Sequence, residues 1–186
     1  MTKLQQYKAK RNFSQTPEPA GKAVKKGKQL RFVVQRHQAS RLHYDFRLEI
    51  GGVLVSWAVP KGPSMNSADK RLAVHVEDHP VDYIDFEGEI PKGNYGAGTV
   101  EVWDQGTFVP VDGQQKSITE KKAAENILKG ELKIVLNGKK LKGGFVLIQL
   151  KDAKNWLLIK HKDEFAVEQP YDSEDLVKPG LQKKKY

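Results

Sequence analysis

At 186 residues the chain is long enough for one domain with a real core, and 38% hydrophobic with 30% charged residues is the balance of a globular protein. Cysteine is absent, which excludes disulfides, zinc ribbons and thiolate chemistry and leaves any metal to His, Asp or Glu. The net charge of +9 points to a polyanionic partner; no apolar run approaches a membrane span or a signal-peptide core, so a cytoplasmic, nucleoid-associated protein with no membrane partner is expected.

In chain order, residues 1–30 read as a basic N-terminal arm. They carry Lys3, Lys8, Lys10, Arg11, Lys22, Lys25, Lys26 and Lys28 against one acid, Glu18. Residues 31–165 read as a β-barrel domain. Strands are predicted at 31–37, at 42–50 and 53–60 around the hairpin glycines Gly51-Gly52, and at 71–79 before Pro80. Two more are predicted within 98–111, on either side of Gln105-Gly106. A helix is predicted over 117–129, with Ser117 and Glu120 as a capping box, an apolar stripe of Ile118, Ala123, Ala124, Ile127 and Leu128, and a stop at Gly130. Strands follow at 131–136, 143–150 and 155–161, with a turn at Asn137-Gly138. Residues 166–186, ending in LQKKKY, read as a C-terminal tail; both basic termini are expected to be flexible because neither offers periodic apolar residues. Many short strands with one or two flanking helices indicate a mainly β fold, a small closed barrel or a sandwich.

The strand 42–50 holds an unusual inventory. Side chains alternate along a strand, so His43, Asp45, Arg47 and Glu49 share one face while Tyr44, Phe46, Leu48 and Ile50 share the other. The strand 71–79 repeats the pattern, with His75, Glu77 and His79 on one side. An ordinary solvated strand face is filled with Lys, Glu, Thr and Ser; these two hold imidazole, carboxylate and guanidinium. With His37 ending the preceding strand, two imidazoles and one carboxylate become available as metal ligands, leaving positions on the ion for water or substrate.

QRHQASRLHYDFRLEI (35–50), RLAVHVEDHPVDY (71–83), LKGGFVLIQL (141–150) and WLLIKHKDE (156–164) together resemble the 3′-phosphoesterase module of bacterial DNA ligase D, which also occurs as a standalone protein. The resemblance runs from about residue 8 to about residue 165. No ligase or primase segment accompanies it, so the standalone form or an excised module is expected. The resemblance implies a small β-barrel flanked by helices, with its active site in a crescent-shaped opening. It implies that His37, His43 and Asp45 bind Mn2+ (Co2+ or Zn2+ being alternatives), and that Arg47, His79 and Tyr83 contact the 3′-phosphate. Gln35, Glu77, Lys61 and Arg71 match supporting positions, and Arg11 and Glu18 match an N-terminal motif needed for activity, so that residues 8–19 of the arm are expected to contribute to the site. The implied reaction is repair of primer-template 3′ ends in DNA or DNA/RNA: removal of a terminal ribonucleoside, then hydrolysis of the 3′-phosphate. The implied partners are a DNA ligase and a Ku-type end-joining protein.

Elementary chemistry agrees with these roles. Arg47 offers a planar fork matched to phosphate, and His79, titrating near neutrality, is expected to bind phosphate and to be available as a proton donor. His75 is expected beside the site without being a ligand, and His161 at the surface or against a phosphate backbone. The glycine-rich stretch 91–100 lacks the Lys-Ser/Thr ending of a Walker loop and reads as a structural turn; Trp57, Trp103 and Trp156 read as core. Asn12 stands where the family motif has Asp, which predicts a slow ribonucleoside step that Asn12→Asp would restore. Two rivals remain. One is a facial-triad iron oxygenase using His43, Asp45 and His79; the other is a catalytically silent DNA-binding module that docks a repair ligase.

Overall fold

Short strands with one dry face each can bury those faces by closing the sheet into a ring, and this chain does so. The computed structural model describes residues 4–24 and 27–177. Its strands are β1 (Leu30–Gln38), β2 (Leu42–Ile50), β3 (Val53–Val59), β4 (Lys70–His79), β5 (Gly88–Ile90), β6 (Gly98–Val111), β7 (Glu131–Gly138), β8 (Lys142–Gln149) and β9 (Asn155–Lys160). Helix α1 spans Gln5–Ala9 and helix α2 spans Glu120–Leu128. Pairing is antiparallel throughout, in the order β1-β2-β3-β4-β9-β8-β7-β6, and β6 returns to β1, so eight strands form a closed barrel with β5 added to one end of β6. The mainly β barrel expected from the sequence is therefore observed, with helices flanking it. Among the described residues no helix is long and apolar enough to cross a membrane.

Two apolar clusters sit on opposite sides of the β1–β3 wall. Phe32, Val34, Tyr44, Phe46, Leu48, Val55 and Trp57 point into the barrel, where Phe145, Leu147, Trp156 and Leu158 meet them from the far wall. The opposite parity carries Val33 and Leu54 outward into a smaller cluster with Tyr7, Tyr83, Ile84, Phe86, Ile90 and Val100. That outer cluster seats the N-terminal segment and a 3-10 helix at Val81–Asp85 against the wall.

Several sequence expectations change. Residues 4–24 do not form a loose arm: Tyr7 is fully buried and its hydroxyl donates to the Pro19 carbonyl at 2.6 Å. The stretch 166–177 is likewise no tail, since Ser173 is fully buried, donates to the Pro63 carbonyl and accepts from the Trp103 indole. LQKKKY lies outside the described residues, as do Lys3, Lys25 and Lys26. β6 runs unbroken through Gln105-Gly106, because Gly106 lets the Asn137 carbonyl approach where a Cβ would clash. The next turn falls beyond Asn137-Gly138, at 139–141, where the Asp104 carboxylate accepts from the backbone N–H groups of Lys139, Lys140 and Leu141. Trp57, Trp103 and Trp156 are core, and His161 is exposed, as expected.

Candidate active site

The site lies on the outer side of the β1–β2–β3 wall, roofed by the N-terminal segment and by the chain between β4 and β6. His37 and His43 are direct cross-strand partners in the β1–β2 ladder, and Asp45 follows His43 by one period of the pleat. Their donor atoms all lie within 4.8 Å of one another. His37 Nδ1 is 3.5 Å from one carboxylate oxygen of Asp45, and His43 Nε2 is 3.6 Å from the other. Donors bound at about 2.1 Å to one ion are separated by roughly this much. The remaining nitrogen of each ring is held by backbone: His37 Nε2 meets the Gly96 carbonyl at 2.8 Å and His43 Nδ1 meets the Arg41 carbonyl at 3.0 Å. That pattern orients a ligating imidazole, so the residues fit a divalent cation. Burial opposes ionisation of Asp45, but Arg47 and the two imidazoles overcome it and hold the carboxyl below the ordinary carboxylate range.

Arg47 is buried and fixed by two side chains. Nε donates to Gln35 Oε1 at 2.7 Å, NH2 donates to Asp45 Oδ2 at 3.0 Å, and NH1 lies 3.1 Å from His79 Nδ1. A guanidinium has five N–H donors; with one given to Gln35 and one to Asp45, and with His79 Nδ1 itself a donor to the Glu77 carbonyl, three remain for a phosphate. Gln35 is itself anchored, donating to the carbonyls of Tyr83 and Phe86. Its role in the geometry is to hold Arg47; it does not line the cavity.

His79 is clamped between two arginines, with Arg11 NH2 3.3 Å from Nε2. Burial, then the charges of Arg47 and Arg11, push its pKa well below the usual imidazole value. The expectation that His79 titrates near neutrality is thus corrected: in the free protein it is neutral. Donation from Nδ1 to the Glu77 carbonyl at 2.9 Å, with Nε2 accepting from Arg11, satisfies both ring nitrogens. The same placement removes it from any facial triad, since the metal-competent cluster contains His37 and not His79.

The N-terminal segment supplies the other half. Arg11 donates to Glu18 at 2.8 Å and to Glu77 at 3.3 Å, and Lys10 donates to Glu77 at 3.1 Å. Tyr83 donates to Glu18 at 3.0 Å and, with burial raising its pKa well above the ordinary value, stays a neutral donor. Its hydroxyl is therefore directed at Glu18, where the resemblance directed it at phosphate. A cavity of about 150 Å3 collects Arg11, Glu18, His37, His43, Asp45, Arg47, Glu77, His79 and Tyr83.

Lys61 and Arg71 are not in it. They line a separate depression with Tyr44, Tyr171 and Glu174, where Arg71 donates to Asp69 and to the Tyr171 carbonyl. Asn12 is exposed and accepts from the N–H and hydroxyl of Ser14, a local turn that the cavity does not include. His75 faces away: β4 shifts register against β3 between Leu54 and Ser56, which reverses the alternation and sends His75 into the barrel between Trp57 and Trp156. Sequence reasoning missed Lys10, Tyr95 and Gly96. The only signal was an aromatic residue inside a glycine-rich turn.

Residues 35–149 match the DNA ligase D 3′-phosphoesterase domain. The chain is 52% identical over 165 residues to the multifunctional non-homologous end joining protein LigD of Pseudomonas aeruginosa, covering 86% of this chain and 19% of that protein. It is 46% identical over 163 residues to its counterpart in Mycolicibacterium smegmatis, covering 87% of this chain and 21% of the other. A Mycobacterium tuberculosis relative is 42% identical over 163 residues, covering 87% of this chain and 20% of its own length. The chain thus spans about a fifth of the curated relatives it matches. With the match covering most of its barrel and all of its metal-competent residues, the chain belongs to the DNA ligase D 3′-phosphoesterase domain family.

Proposed function

We propose that the chain is a divalent-metal-dependent phosphoesterase that heals nucleic-acid 3′ ends, hydrolysing a 3′-phosphate to a 3′-hydroxyl and removing a terminal ribonucleoside beforehand. The observation that carries this reading is the convergence, in one cavity, of a metal-competent His37/His43/Asp45 set with an Arg47 that keeps three free donors. Charge supports it. Lys10, Arg11 and Arg47 balance Asp45, Glu18 and Glu77, so one divalent cation leaves the set at about +2, the complement of a phosphate monoester dianion. Mn2+ is the proposed ion, with Co2+ or Zn2+ as alternatives.

When bound, the cation would lower the pKa of a water and neutralise a phosphate oxygen. The chain's own residues do the rest. Arg47 binds the phosphate through its free donors, held in register by Gln35 and Asp45. Burial and the charges of Arg47 and Arg11 keep His79 neutral until a dianion arrives; the added negative charge then favours its protonated form, in which both ring nitrogens are donors. Tyr83 fixes Glu18, which fixes Arg11.

The relatives are named as multifunctional non-homologous end joining proteins, so we take broken DNA ends, including DNA/RNA primer-templates, as the substrates, with a DNA ligase and a Ku-type protein as partners. The test is single-turnover assay of a primer ending in 3′-phosphate and one ending in a ribonucleotide, with Mn2+ and with chelator. Metal-dependent release of phosphate is expected. Tight binding with no hydrolysis under any divalent ion would instead identify a silent DNA-binding module.

A further inference from the structure

The cavity is too small for a whole nucleotide. Its volume of about 150 Å3 falls below the roughly 300–1,000 Å3 of ordinary small-molecule sites. Its charged groups are interspersed with Ala39, Ala58, Val76 and Ile90, Ala58 being the cross-strand partner of Asp45. A phosphate at Arg47 with its sugar beside it takes up that volume, which leaves a terminal nucleobase outside, at the mouth.

Tyr95 stands there. It lines the cavity yet is 48% exposed, and it belongs to neither apolar cluster, so the fold does not use its ring for packing. The ring is nevertheless held. Lys10 donates to its hydroxyl at 3.3 Å, the Lys10 ammonium lies 4.6 Å from the ring centroid, and the Arg11 guanidinium carbon lies 5.5 Å from it. An exposed aromatic ring beside cations is the arrangement that binds a nucleic-acid base by its π-face. Its distance from the phosphate side is fixed as well, because the next residue, Gly96, gives the carbonyl that orients His37. Asn94 spends its amide N–H groups on the Gln15 and Pro91 carbonyls and so is not presented to read a base edge.

We infer that Tyr95, steadied by Lys10, is a stacking platform for the terminal nucleobase, so that the site detects whether a base is present without reading which base it is. This rests on the 3′-end reading and adds to it a subsite outside the reacting centre.

Binding in the presence of chelator tests it, using two primer-templates that end in 3′-phosphate, one with an intact terminal nucleoside and one abasic at that position. The wild-type protein should prefer the intact end by about tenfold, the value of one stacked base. Tyr95→Leu should abolish the preference and Tyr95→Phe should keep it, while exchange of the terminal base among the four should leave affinity within about threefold. A wild-type protein indifferent to the abasic end, or a Tyr95→Leu protein weakened equally on both ends, overturns the platform. Because binding is read without metal, failure of a parallel Mn2+ hydrolysis assay would count against the 3′-phosphoesterase reading and leave this result standing.

Discussion

Gln35 shows how much of the site is held by residues that touch no substrate. Its side chain joins Arg47 to the Tyr83 and Phe86 carbonyls along the outer face of the β1 wall, with every partner buried. Gln35→Leu leaves those groups unpaired, so a loss of about 1–3 kcal/mol in urea unfolding is expected. The turnover rate at saturating substrate should fall as well, because Arg47 loses its register. Unchanged turnover would mean that Asp45 alone holds Arg47. At Asn12 the geometry leads to a different expectation from the sequence. An Asp makes the same turn to Ser14 that Asn makes. Asn12→Asp should therefore leave both the ribonucleoside and phosphate steps within about twofold, in keeping with a surface position. A selective rise in the ribonucleoside step would show that this segment rearranges over substrate. His43, Asp45 and Arg47 were legible as a shared face because the two-residue period of a strand is set by covalent geometry. The partnership of His37 with the Gly96 carbonyl was not, since it joins positions 59 residues apart through backbone.

At the scale of the element, strands and the Gly51-Gly52 hairpin were legible, while offsets between strands were not. Both hairpin glycines have positive φ, as a primed turn requires. The register shift in β4 left no mark in the alternation of residues 71–79, and it alone moved His75 from the site to the barrel interior. The capping box placed the helix start two residues early. Helix α2 begins at Glu120 with Thr119 as its cap, accepting from the Lys122 N–H, and the Glu120 carboxylate accepts from the Gly51 N–H. Thr119→Ala should cost about 1 kcal/mol of stability, whereas Ser117→Ala should stay within about 0.5 kcal/mol. Thermal denaturation of the two variants separates these starts; a larger loss from Ser117→Ala would restore the capping box.

Across the whole molecule, the barrel interior carries its own titratable group. Burial lowers the pKa of His75, which packs between Trp57 and Trp156. Its folded pKa lies below the unfolded value near 6.5, so the unfolded chain binds more protons in that range. Its contribution is whole above about pH 6.5 and is lost as pH falls through that value toward the folded pKa. His79, also depressed, adds a contribution of the same sign. Urea midpoints should drop between pH 7.5 and pH 5, and His75→Gln should show a shallower drop. An equal drop in the variant would place the proton uptake elsewhere.

The organisation of the molecule follows from its two clusters: one closes the barrel, and the other clamps the N-terminal segment over the outer wall so that Arg11 and Glu18 meet His79, Glu77 and Tyr83. No periodicity in residues 1–30 announced that clamp, because it rests on single aromatic anchors such as Tyr7. What the clamp and the wall enclose is a metal-competent trio beside a phosphate-competent arginine. The decisive measurement is Mn2+ binding and 3′-phosphate release on the same preparations of wild-type and His43→Ala protein. Wild-type protein should bind one ion per chain and release phosphate, and His43→Ala, while still folded, should lose at least about 100-fold in both. A folded His43→Ala protein that keeps its ion and a near-normal rate would show that the metal and the chemistry reside elsewhere.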